Sequence, residues 1–205
     1  MRVILAGAAL ALALTGGPAR AQDGLPPMHV GQGLLGVLSE VRFGAMAHGI
    51  VNKKEQSVDL NAELLFVSPV PERWLEGTPN SVRWLLQPRP HIGVSPNLGG
   101  FTNKGYFGLT WTTLLARDLL RPGDGLRFDF LFGGSLNDGR HAARFDEPKR
   151  LSLGGNLLFH LGAEIGYQIT PRYSVSIFYD HDSNADLASH NQGLNSLGLR
   201  FGIGL

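Results

Sequence analysis

Leu126-Arg127-Phe128-Asp129-Phe130-Leu131-Phe132 sets Leu126, Phe128, Phe130 and Phe132 against Arg127 and Asp129. Side chains of a β-strand emerge alternately on its two faces, so this stretch predicts a strand with one apolar and one charged face. An amphipathic helix would instead repeat its apolar residues three and four positions apart. The same period of two recurs along the chain in segments of roughly ten residues separated by turns, which is the pattern of a transmembrane β-barrel.

Seven further segments carry it. Ser39 to Ala47 opposes Val41, Phe43, Ala45 and Ala47 to Glu40 and Arg42, and the next opposes Val58, Leu60, Ala62, Leu64 and Phe66 to Asp59, Asn61 and Glu63. The third predicted strand sets Trp84, Leu86, Ile92 and Val94 against Arg83, Gln87, Arg89 and His91. Pro88 and Pro90 fall inside it and predict a bulge or a broken ladder, because proline brings no N–H to a sheet. Phe107, Leu109 and Trp111 mark the fourth. The sixth opposes Leu157, Phe159, Leu161 and Ile165 to Asn156, His160, Glu164 and Gln168. Tyr173, Val175, Ile177 and Tyr179 form the apolar face of the seventh, and Leu197, Leu199, Phe201, Ile203 and Leu205 that of the last.

The start of the chain supplies an address. A basic Met1-Arg2, an apolar run from Val3 to Leu14 and the small residues of Ala19-Arg20-Ala21 predict a signal peptide over residues 1–21. Residues 22–205 then read as a single domain, with 16 basic and 17 acidic residues left from the 18 and 17 of the whole chain. This near-neutral balance recommends no nucleic acid as a partner. Cysteine is absent, which excludes disulfide stapling and thiolate-bound metal. Only 17% of the residues are charged, below the quarter or so usual in soluble domains. The expected fold is all-β: an eight-stranded antiparallel transmembrane β-barrel of the outer membrane. Its apolar face meets lipid, and Arg83, Arg89, Arg127, Arg200, Glu63, Asp129, Glu164 and Asp180 turn inward as paired struts in a narrow lumen. With both ends periplasmic, Thr170-Pro171-Arg172 is a tight periplasmic turn and Ser135 to Arg150 an extracellular loop. Ser68 to Ser81 is a long periplasmic connection whose Trp74 anchors at the membrane surface.

Parity singles out one polar cluster. Extending the seventh strand past Tyr179 through Asp180-His181-Asp182-Ser183-Asn184 puts His181 and Ser183 on the outward face, and extending the last strand backwards adds Asn195. Polar groups on a lipid-facing wall are costly and invite a functional explanation. A serine hydroxyl becomes a nucleophile when a base such as imidazole takes its proton. A third group fixes the imidazole tautomer, and an amide donor such as Asn184 stabilises the oxyanion. A His-x-Ser at the top of a strand also occurs as an ordinary surface feature. Asp180 and Asp182 have the wrong parity to orient the histidine, whereas Asp186, in the following loop, is a substitute acceptor.

The run His181-Asp182-Ser183-Asn184-Ala185, followed by Asn191-Gln192-Gly193 and a final amphipathic strand, resembles the lipid A 3-O-deacylase (PagL-type) family of outer-membrane acyloxyacyl hydrolases. Gln87-Pro88-Arg89-Pro90 and Leu153-Gly154-Gly155-Asn156-Leu157-Leu158-Phe159 fit the same family. The resemblance implies a barrel with its active site on the outer wall and a substrate in lipid A of lipopolysaccharide, from which a 3-O-linked hydroxyacyl chain is removed. It implies Ser183 as nucleophile, His181 as base and Asn184 as oxyanion donor. The family's orienting glutamate falls at Asn195, which can accept the ring N–H but brings no full charge to imidazolium.

Outer-membrane lipid is the expected surrounding, no cofactor or metal is implied, and a homodimer stays open. His160 points into the lumen, His48, His141 and His190 fall in or near extracellular loops, and no histidine pair has metal-ligand spacing on one face. Arg140, Arg144, Lys149 and Arg150 make one loop basic, as solvated charges or as partners for lipid A phosphates. The alternative to an esterase is a non-catalytic barrel with a structural or adhesive role, kept alive by Asn195. A calcium-dependent phospholipase would need an oxygen cage that the sequence does not show.

Overall fold

The computed structural model describes residues 36–205; the expected signal peptide, residues 1–21, lies outside them. Eight strands form a closed antiparallel barrel: β1 (Leu38–His48), β2 (Ser57–Phe66), β3 (Arg89–Ser95), β4 (Lys104–Arg117), β5 (Gly125–Asn137), β6 (Leu157–Gln168), β7 (Tyr173–Ser183) and β8 (Leu194–Gly204). Each pairs with its neighbours in sequence, and β1 closes on β8 through pairs such as Phe43 with Phe201 and Ala47 with Leu197. Closure is what lets β structure cross hydrocarbon, since an open edge would leave peptide groups without partners.

The wall is inverted relative to a soluble protein. Ile177 and Leu199 are 56% and 68% exposed, whereas Arg42 and Asp129 are fully buried in the lumen. Those lumenal charges are struts. Arg42 lies 2.9 Å from Glu40, 2.7 Å from Asp129 and 3.2 Å from Glu164. Arg127 reaches Glu40 and Glu164 at 3.1 Å each, Arg89 reaches Glu40 at 2.9 Å, and Arg200 pairs with Glu63 and Glu164. One lumenal layer is apolar: Met46, Leu131 and Phe178 cluster, and the Arg200 guanidinium sits 3.6 Å from the centre of the Phe178 ring.

The third predicted strand needs correction. Asn80–Leu86 is a short helix, α1, preceded by a 3-10 turn at Glu72–Leu75, and β3 begins only at Arg89. Arg83 is accordingly no lumenal strut; its guanidinium bonds the Leu75 carbonyl. The β2–β3 ladder starts at His91, beyond both prolines, so neither Pro88 nor Pro90 interrupts it. Lower down, β4 runs past the start of β3 and its free edge is met by the helix: Trp84 Nε1 donates to the Thr112 carbonyl at 3.0 Å, and Trp111 Nε1 to that of Leu85 at 3.0 Å. Trp74 is exposed.

The loops at the end of the barrel that carries Ser183 knit into a lid. Glu55, in the β1–β2 loop, accepts from the backbone N–H of Leu151 at 2.9 Å and of Thr102 at 3.2 Å, and contacts His48 Nε2 at 3.3 Å. Burial pushes its carboxyl up, but these hydrogen bonds prevail and hold it below the usual glutamate range. Beneath the lid Leu151, Leu153, Leu158 and Leu194 form a small buried cluster.

Candidate active site

The register of β7 with β8 builds the site. His181 is paired directly with Asn195, and Tyr179 with Leu197. Side chains at directly opposed positions are close enough to touch, and a long aromatic also reaches the diagonal neighbour. Accordingly His181 Nδ1 lies 2.8 Å from Asn195 Oδ1, and the Tyr179 hydroxyl donates to the same oxygen at 2.6 Å. With an amide oxygen as acceptor, the ring proton sits on Nδ1, and Nε2 keeps the lone pair that a base needs. Ser183 shares the outward face two residues on, about 7 Å along the strand. Among the described residues no hydrogen bond joins its hydroxyl to His181. Such contacts commonly tighten only when substrate is bound.

The alternate residues hold the strand from inside. Asp180 lies 2.8 Å from Lys104 Nζ, and Asp182 bonds both Lys104 and, at 2.9 Å, His160 Nδ1. His160, Asp180 and Asp182 bring ligand-type atoms within 4.8 Å of one another, but the cation they face is the Lys104 ammonium. Asp186 does not reach the imidazole region either; it accepts from Asn191 Nδ2 at 2.9 Å. Asn195, rather than Asp180, Asp182 or Asp186, is the acceptor that meets His181.

Asn184 has a role that sequence reasoning missed. Its Nδ2 donates to the Leu153 carbonyl at 2.9 Å and to the His190 carbonyl at 2.6 Å, and its backbone N–H donates to Asn191 Oδ1 at 3.2 Å. The side chain thus clamps the loop after Ser183 to the loop before β6, and both its N–H donors are engaged. An oxyanion contact from this side chain requires exchange of one of those bonds. The clamp depends on Gly154, whose φ is +80° and where a Cβ would lie 2.3 Å from Asn184 Nδ2. Nothing in the local pattern of either loop signals this contact.

Gly193 packs on the His181 ring, a contact that its place in the sequence motif does not reveal. Its φ is +65°, and a Cβ there would stand 3.1 Å from His181 Cε1. Left-handed backbone costs a side-chain-bearing residue about 1–2 kcal/mol. A Gly193→Ala barrel is expected to lose about that much unfolding free energy in a urea titration in detergent. An unchanged midpoint would show that the turn relaxes freely.

A family model described as lipid A 3-O-deacylase (PagL) matches residues 70–204. Among solved structures, the outer membrane enzyme PagL is similar with a TM-score of 0.57 and 16% sequence identity, over 81% of this chain and 99% of that one. The N-terminal β-barrel domain of Pseudomonas aeruginosa OprF gives a TM-score of 0.43 at 11% identity, over 82% and 99%, too low to carry an argument. No curated protein matches the sequence significantly. The structural likeness speaks for the fold alone; the family model covers well over half of the chain.

Proposed function

This chain belongs to the lipid A 3-O-deacylase (PagL) family of the outer membrane, and on that premise we propose that Ser183 and His181 hydrolyse the ester holding a 3-O-linked hydroxyacyl chain on lipid A. The observation that carries the proposal is the 2.8 Å contact of His181 Nδ1 with Asn195 Oδ1, which leaves Nε2 for Ser183 on the same outward face.

The chemistry follows from that tautomer. Ser183 Oγ attacks the ester carbonyl carbon while His181 Nε2 takes the hydroxyl proton. Collapse of the tetrahedral intermediate breaks the bond to the sugar oxygen, which leaves with the proton now held by His181. Water then enters by the same proton relay and releases the fatty acid from Ser183. Asn184 serves the carbonyl oxygen through an amide N–H exchanged from the His190 carbonyl. The exposed wall of Tyr179, Leu197 and Ile177 lies membrane-ward of Ser183 and receives the acyl chain. A wider open groove that includes Phe43, Val175 and Phe201 begins at Ile177. That is about 20 Å along the strand from Ser183, so the groove is not the place of the ester.

Mass spectrometry of lipid A from cells expressing the wild-type chain or Ser183→Ala tests the proposal. Loss of one hydroxyacyl mass with wild type alone is the expected result. Unchanged lipid A in both, with the barrel folded, would reject it in favour of a non-catalytic surface barrel.

A further inference from the structure

An asparagine in the place of an acid brings a requirement that a carboxylate does not have. A carboxylate presents an acceptor whichever way it turns, whereas an amide has one accepting and one donating end. With Oδ1 toward His181, the ring proton is held on Nδ1 and Nε2 is basic. With Nδ2 toward His181, Nδ1 must accept, the proton moves to Nε2, and the nitrogen that the proposed mechanism assigns to Ser183 can no longer take a proton. Asn195 therefore serves a base only in one of its two orientations.

Tyr179 distinguishes them. Its hydroxyl lies 2.6 Å from the same Oδ1 that meets His181, so two donors converge on one oxygen. A phenol can also accept, and a turned amide could donate to it. The tyrosine proton would then need another acceptor. Its cross-strand partners are Ala163 and Leu197, and its neighbour on the outward face below is Ile177, all apolar. The turned amide would strand a hydroxyl proton at a lipid-facing wall, at a cost of about 1–3 kcal/mol for the unmade hydrogen bond.

We infer that Tyr179 is a positioning residue: its hydroxyl holds the Asn195 amide with oxygen toward His181 and so sets the imidazole tautomer required of the base. It touches neither Ser183 nor the scissile bond; it acts through Asn195. The device suits this chain because position 195 is an amide.

The test has one arm that needs no substrate and one that rests on the proposed esterase. In the first, nitrogen NMR of histidine-labelled barrel in detergent micelles reads the neutral His181 ring, assigned by its loss in His181→Gln. The expected result is the Nδ1–H tautomer in wild type and a mixed or Nε2–H ring in Tyr179→Phe. In the second, Tyr179→Phe is expected to lower kcat for ester hydrolysis about tenfold with KM little changed. In an Asn195→Glu background the same substitution should change kcat less than twofold. An unaltered tautomer in Tyr179→Phe, or equal losses in both backgrounds, would overturn the inference and leave Tyr179 a packing residue. If wild type shows the fixed tautomer yet hydrolyses no ester, the lock stands and the proposed function falls.

Discussion

Ester hydrolysis by a His181→Gln barrel is expected to fall to the level of the uncatalysed blank, a loss of roughly four to six orders of magnitude. In the proposed mechanism Ser183 keeps its proton without imidazole, and the remaining groups of the site can only position and polarise the carbonyl. The fold should be unaffected, because His181 stands outside the lumenal ion network and, among the described residues, its side chain hydrogen-bonds only Asn195. The comparison is therefore of two folded proteins, verified by their heat-modifiable migration in gels, in one chromogenic ester assay in detergent. A His181→Gln protein within tenfold of wild type would remove the imidazole from the mechanism.

Replacing Arg42 by methionine is expected to lower the unfolding free energy by about 3–5 kcal/mol, the scale for breaking a buried ion pair on one side only. Arg42 is fully buried and lies within 3.2 Å of carboxylate oxygens of Glu40, Asp129 and Glu164. Removing it leaves those carboxylates facing one another with Arg89, Arg127 and Arg200 as the nearest remaining cations. Urea-driven unfolding in lipid vesicles measures the change. The double variant Arg42→Met with Asp129→Leu should recover much of it, because the orphaned charge goes as well. If the single variant costs less than about 1 kcal/mol, the network is less tightly coupled than its distances imply.

Period-two alternation is a local property, and it carried most of the architecture. Leu126 to Phe132 and its counterparts placed seven of the eight strands, and parity alone put His181, Ser183 and Asn195 on one outward face. The failures were of two kinds. Residues 83–94 imitate one alternating strand, yet only the part from Arg89 onward is β3 and α1 takes the place of the first part; periodicity over so few residues does not tell a partnered strand from a helix laid on an edge. Leu131 and Phe178 point into the lumen with Met46, because a charged interior still needs a packed apolar layer where guanidinium stems and rings stack.

By itself, the sequence determined that this chain closes a lipid-facing barrel and that a serine and a histidine share its outer wall, since both follow from which side of a strand each residue must take. Only the tertiary structure decided what those residues touch. The 14-residue span from His181 to Asn195 becomes a hydrogen bond through the β7–β8 register, which also swings Tyr179 onto the same oxygen. The 31-residue span from Leu153 to Asn184 becomes a clamp because two loops fold over one buried leucine cluster. Facing is a property of each strand alone, whereas register and loop packing are set by segments far apart in the chain, and the contacts of the candidate site belong to the second kind.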